Sequence, residues 1–222
     1  MDHTDGDPAG RRVAELIELG RDREAADLAT AFGREPARHR GGPMDARSQL
    51  DQLGPVLAGV VGGISPSDLD NPTASTDFTV RGVLEHMIGG ATMFTAAFRG
   101  EEAGTPDLSD VLNAFGPTLT TLAEAIHAPG ALERTISAPF GEVSGDAFAR
   151  FVVLDGLIHG WDMATATGQA YDPPADLVSA ATDFAREALD PLRDGTTFAE
   201  ATEPRAGATP LEELVAYTGR RV

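Results

Sequence analysis

Between residues 44 and 64 the apolar positions Leu50, Leu53, Leu57, Val60 and Val61 recur at intervals of three and four. That spacing gathers them on one face of an amphipathic helix. Gly54-Pro55 falls inside the run and is expected to kink the helix or delay its start, because proline has no N–H and its ring crowds the preceding turn. SPSDLDNPTASTD reads as a loop from its Pro, Ser, Asp and Asn content. FTVRGVLEHMIGGATMFTAAFRG then predicts a second helix, with Thr79 as its N-cap. A third is predicted from about Leu108 to Ala128, bent near Gly116-Pro117. LERTISAPFGEVSG has an extended pattern, a short hairpin with Gly141 near its turn. A fourth helix is predicted from Asp146 to about Thr167, closed by Gly168 as a C′ glycine. Pro173 and Pro174 precede a further helix in ADLVSAATDFAREAL. TPLEELVAYTGRRV ends the chain in a short helix whose Thr-Pro and Glu stand at helix-start positions.

These elements predict an all-α protein: a four-helix bundle with one long crossover, a short extended or hairpin insert, and extra terminal helices. Residues 44–222 carry that pattern as one domain. Residues 1–43 differ in character. They hold nine acids and seven arginines and end in the Pro/Gly-rich stretch REPARHRGGP. Val13, Leu16, Ile17, Ala25 and Leu28 keep helical spacing, so this N-terminal extension is expected to be part helical, from about Arg11 to Phe32. No internal repeat or low-complexity tract is present.

Composition removes several function classes. A formal charge of −18, from 35 acids and 17 bases, disfavours nucleic acid and anionic membrane surfaces as partners. No apolar run approaches the roughly 20 residues of a membrane span. The start, MDHTDGDPAGRR, has no apolar core and does not read as a secretory signal, so a cytoplasmic location is expected. Cysteine is absent, which removes disulfides, a cysteine nucleophile and thiolate metal sites. All 17 basic residues are arginine. The lack of lysine excludes Schiff-base chemistry and a phosphate-loop lysine, and points to a GC-rich genome.

The fourth helix, FARFVVLDGLIHGWDMATATG, is apolar nearly all round and is expected to be the buried one. Asp155, His159 and Asp162 interrupt it at i, i+4 and i+7, on one stripe. A buried carboxylate without a partner costs several kcal/mol on the order given for desolvated charges. Two readings satisfy it: a hydrogen-bonded core pair with the imidazole, Asp162 pairing with Arg150 or another arginine, or a metal ion held by both groups. His86 adds weight to the second, because it lies among Leu84, Met87 and Ile88 on the second helix, and bundles assemble metal sites from inward side chains on facing helices. His86, Asp155 and His159 would supply three nitrogen and oxygen ligands and leave open positions, as catalytic sites do. Asp162 is then placed to orient His159. Glu85 points about 100° away from His86, toward solvent or the outer rim of the site. His3 and His39 lie in the extension, His127 complements the end of the third helix, and Trp161 turns off the stripe into packing or a pocket wall.

FTVRGVLEHMIGG, GLIHGWDMATATG and the closing LEELVAYTGRR together resemble actinobacterial metal-binding proteins of the DinB-like superfamily, similar to the metal-binding domain of mycothiol-dependent maleylpyruvate isomerase. The resemblance covers about Met44 to the C-terminus. It implies a four-helix bundle with a divalent metal, usually zinc, near one end, with the family histidine at His86 and its acid-x3-His pair at Asp155 and His159. This chain has Asp155 where the isomerase uses glutamate. It has Phe78 where tryptophan is frequent and Gly82 where an acid is common, so the capping box with Thr79 is incomplete. No room for the isomerase's separate substrate domain is expected in these residues, so the resemblance is expected to carry over the metal site and not the isomerase reaction. The expected function is a metal-dependent enzyme, zinc-dependent by preference, that acts as a transferase or isomerase with mycothiol or a similar small thiol and an electrophile. The alternatives are a non-catalytic metal- or ligand-binding module, and a metal-dependent hydrolase in which water fills the open position. A homodimer paired through helix faces fits either class.

Overall fold

The structure, a computed structural model, describes residues 44–75, 78–138, 141–190, 193 and 199–222. The extension expected at 1–43, with its helix, lies outside the described residues. Helix α1 spans Ala46–Gly62 and is capped by Asp45, whose carboxylate accepts from the Ser48 N–H at 2.8 Å. Pro55 sits inside α1 without delaying its start. The N–H that proline lacks leaves the carbonyl of Asp51 without a helical donor, and Asp51 is exposed to water. Helix α2 covers Val80–Arg99, opened by Thr79, whose hydroxyl accepts from the Gly82 N–H, and closed by Gly100 at φ 71°. Helix α3 covers Val111–His127 with Asp110 as its cap. It begins later than the apolar spacing predicts because Leu108 is exposed ahead of that cap.

A two-stranded antiparallel hairpin follows, β1 Thr135–Ala138 and β2 Gly141–Ser144. Its register sets Ile136 opposite Val143, and both are buried against the helices. Ser144 ends the hairpin and caps α4, Gly145–Ala166. Gly168, at φ 67°, turns the chain out of α4. Helices α5, Ala175–Ala188, and α6, Pro210–Tyr217, complete the described chain. A capping box starts α6: the Thr209 hydroxyl accepts from the Glu212 N–H, and the Glu212 carboxylate from the Thr209 N–H.

The fold is an all-α helical bundle with this one small hairpin. Helix α1 packs on α3 and α4, and α2 also packs on α3 and α4, so α1 and α2 face each other across the bundle. Helix α5 lies against α4 and α1, and α6 against α5. Leu84, Ile88, Leu122, Ile126, Leu154 and Leu157 are among the fully buried core residues, each contributing about 1.5–3 kcal/mol by burial. Helix α4 is enclosed on most of its circumference, as its apolar composition requires. Gly156 and Gly160 make its close approach to α1: a Cβ at Gly156 would stand 2.9 Å from Leu53 Cδ2, and one at Gly160 2.8 Å from Leu57 Cδ2. Among the described residues no helix is long and apolar enough to cross a membrane.

Candidate metal centre

Two opposed helices, α2 and α4, supply the site. Leu84, Met87 and Ile88 bury one face of α2, and His86 lies at the margin of that face. On α4, Asp155 and His159 are one turn apart and share a face. The structure brings the three side chains together: their ligand atoms lie within 4.8 Å of one another, and no other such group of His, Asp or Glu occurs among the described residues. His86 Nε2 is 3.7 Å and His159 Nε2 3.5 Å from Asp155 Oδ1. The two imidazole centroids are 4.8 Å apart.

The exposures define a closed side and an open side. His159 is buried, whereas the side chains of His86 and Asp155 are 27% and 25% exposed. Phe78, immediately before the α2 cap, walls the trio, with ring centroids 5.5 Å from His86 and 6.2 Å from His159.

Behind His159 stands a fixed chain of polar contacts. Asp162 Oδ2 lies 3.1 Å from His159 Nδ1, and Asp162 is fully buried. Arg220 donates to Asp162 through Nε and Nη2 at 2.8 to 3.1 Å, and its Nη1 donates to Thr218 Oγ1 at 3.3 Å. An ionised Asp162 accepts the proton on Nδ1, which leaves Nε2 facing Asp155 and His86. Arg150 does not take part. It pairs with Asp146 at 2.7 Å and with the Met44 carbonyl, so the arginine that neutralises Asp162 comes from the chain's end.

Charge settles unevenly on these groups. Burial pushes the Asp155 carboxyl up, but the charge of His159 and the nearby His159 and His86 rings outweigh it and hold the carboxyl far below its usual range. Burial likewise opposes a charged His159. The nearby Asp155 carboxylate, together with the hydrogen bond to Asp162, reverses that, and the imidazole is pushed up to about 9. Asp162 is held low by His159 and Arg220 against its own burial. At neutral pH the Asp155 carboxylate is therefore held against a protonated His159, a proton that a metal ion taking both groups would displace.

The donor set fits a divalent ion of zinc type. Ligand atoms about 2.0–2.2 Å from a tetrahedral ion stand roughly 3.3–3.6 Å apart, close to the two nitrogen–oxygen spacings at Asp155. Two imidazoles and one carboxylate suit zinc better than calcium or magnesium, which favour oxygen. The remaining candidates lie elsewhere. His127 ends α3 and pairs with Asp51 at 2.9 Å, both exposed. Trp161 packs half-buried against the core. Sequence patterns did not disclose Arg220, Thr218 or the packing of Phe78 on both imidazoles, because each is a contact between segments far apart in the chain. The closing TGRR was the one available signal for Arg220.

Comparison with known proteins points the same way. Residues 50–164 match the family described as mycothiol maleylpyruvate isomerase N-terminal domain. Two uncharacterised proteins of Mycobacterium tuberculosis, from strains CDC 1551 and H37Rv, are each 30% identical over 171 residues, covering 75% of this chain and 93% of theirs. No solved structure matches the chain.

Proposed function

The chain belongs to the mycothiol maleylpyruvate isomerase N-terminal domain family, and on that premise we propose that it binds one divalent metal ion, zinc by preference, and uses it to activate a small thiol of mycothiol type against an electrophile. The observation that carries this reading is the convergence of His86, Asp155 and His159 within 4.8 Å. A bound divalent cation would act as a Lewis acid and favour thiolate over thiol.

The chain's own residues do the rest. With the His159 proton displaced, His86 and His159 would offer two nitrogens and Asp155 one negative charge, a ligand set that would leave net positive charge on a dication and favour an anionic sulfur. Phe78 covers one side, and the part-exposed flank at His86 and Asp155 stays open for the thiol. Asp162 and Arg220 hold the His159 ring, so its Nε2 does not rotate out of line. Having no cysteine, the protein takes its sulfur nucleophile from the cosubstrate. The thiol gives its proton to solvent at the open flank. Its sulfur then forms a C–S bond with the electrophilic carbon, and the displaced electron pair departs with a leaving group or settles on a conjugated carbonyl, which is reprotonated. Reduced small thiols are abundant in the cytoplasm, the location this activity needs.

The test is loss of free thiol in mixtures of zinc-loaded protein, mycothiol and a panel of electrophiles. Consumption above the uncatalysed rate, abolished in His86→Ala, is expected. Background rates across the whole panel would sink the thiol reading.

A further inference from the structure

A cavity of about 360 Å³ runs between helices α1, α2, α3 and α4, within the usual size range of small-molecule sites. Leu50 and Leu53, Met87 and Phe94, Leu122 and Val152 represent the four helices in its wall. Asp155 also lines it. One residue therefore belongs to both the cavity and the His86–Asp155–His159 trio, and a molecule filling the cavity has one end beside the donors.

The wall's chemistry selects the occupant. Its ionisable groups are Asp51 and Asp155, with no arginine among them. Asp51 already pairs with His127 at 2.9 Å. Away from the trio at its end the wall offers an anion no arginine or histidine partner, so a charged group lying along it would be desolvated without compensation. Each of the four helices contributes one glycine to the wall: Gly54, Gly90, Gly116 and Gly156. Gly54 and Gly116 each precede a proline inside their helix, where a Cβ would crowd the proline ring in the helical conformation, so the local backbone calls for glycine where it faces the open space.

We propose that this cavity binds the uncharged, apolar body of the electrophilic substrate, with its reactive end at Asp155. The substrate class is thus a neutral hydrophobic electrophile, not a small dicarboxylate. This rests on the thiol reading for the word electrophile, but the binding claim stands by itself.

The test uses the full chain, zinc-loaded and metal-free, with the uncharged fluorophore N-phenylnaphthylamine and its sulfonated analogue, anilinonaphthalene sulfonate. The neutral dye is expected to bind saturably, and the sulfonate at least about tenfold more weakly. Ala123→Leu narrows the cavity from a wall position inside α3 and keeps a good helix former there, so its fold is retained, as circular dichroism will verify. It should weaken the neutral dye by about tenfold or more, and Ala58→Leu, from the α1 wall, should act likewise. Equal or tighter binding of the sulfonate, or unchanged dye affinity in both variants, overturns the proposal. Thiol turnover is read separately. Turnover of an anionic electrophile that Ala123→Leu leaves unchanged overturns the assigned substrate class and spares the thiol chemistry. Dye binding as expected with no thiol turnover removes the thiol chemistry and leaves the apolar site standing.

Discussion

Arg220 grips Asp162 across 58 positions of sequence, with three donor–acceptor distances of 3.0, 3.1 and 2.8 Å. The acid is fully buried and the guanidinium 13% exposed. Asp162 in turn meets His159 Nδ1 at 3.1 Å. The end of the chain thus sets the orientation of a side chain in the middle of α4.

Replacing Arg220 tests this coupling. Arg220→Met leaves Asp162 buried without its cation, which should cost about 3 kcal/mol and lower Tm by roughly 6–12 °C for a chain of this size. Zinc affinity should fall about 10–100-fold, the range for lost partners of ligating histidines. Arg220→Lys keeps the charge but not the two-pronged contact, and should fall between. Chelator competition and thermal unfolding read the two effects. Wild-type zinc affinity in Arg220→Met would show that the C-terminal contact is structural only.

The ligand trio itself should respond unevenly. His159→Ala removes the buried donor, and His86→Ala and Asp155→Asn remove the part-exposed ones. All three should lower bound zinc from near stoichiometric to little, measured by elemental analysis of purified protein. His159→Ala should also destabilise the metal-free fold, by about 1–3 kcal/mol, because Asp162 loses a partner. His86→Ala leaves no fully buried polar group unpaired and should cost less.

Much of this was legible in the sequence for a physical reason. A carboxylate and an imidazole at i and i+4 in an otherwise apolar helix share a face by geometry alone, and burying them demands a partner. His86 stood out because α2 is amphipathic and places it beside Leu84, Met87 and Ile88. Helix starts at Thr79 and Thr209 were readable because their caps are local. Arg220 was not readable as the partner of Asp162, since a pair 58 residues apart depends on how α6 docks; Arg150 was an equal candidate until Asp146 claimed it. The start of α3 was misplaced because Leu108 fits the periodicity while Asp110 supplies the cap. The role of Gly156 and Gly160 in seating Leu53 and Leu57 was also hidden, as a missing side chain leaves no hydrophobic signal.

Acidity should govern metal loading. In the metal-free protein the His159 imidazole is pushed up from its ordinary 6.5 to about 9. Its contribution to stability is full below pH 6.5 and is lost as pH rises through 9. Asp155 is shifted down from 3.8, so its contribution is present above that pH and disappears on acidification. The metal-free protein should therefore lose stability between pH 6.5 and 9, and the zinc-loaded form should not. At neutral pH zinc must displace about one proton, and its apparent affinity should rise up to about tenfold per pH unit toward pH 9. Calorimetry at pH 7 in buffers of different ionisation enthalpy measures that proton. A binding heat independent of the buffer would contradict it.

The approach of α4 to α1 gives a test independent of any metal. A Cβ at Gly160 would overlap the Tyr171 hydroxyl and stand 2.8 Å from Leu57 Cδ2. Tyr171 donates that hydroxyl to the Leu157 carbonyl at 2.9 Å, and burial pushes its phenol well above the ordinary value, so it stays a donor throughout the working range. Gly160→Ala must move the ring or the helix, and should cost about 1–3 kcal/mol despite alanine's better helix propensity. Tyr171→Phe removes the hydroxyl and costs about 1 kcal/mol by itself. In the double variant the overlap with the hydroxyl is gone, so the two losses should not add. The double variant should be less destabilised than the sum by on the order of 1 kcal/mol, within the range for residues in contact. Urea unfolding of the four proteins measures the cycle. Strict additivity would mean that Leu57, not Tyr171, sets the limit at Gly160.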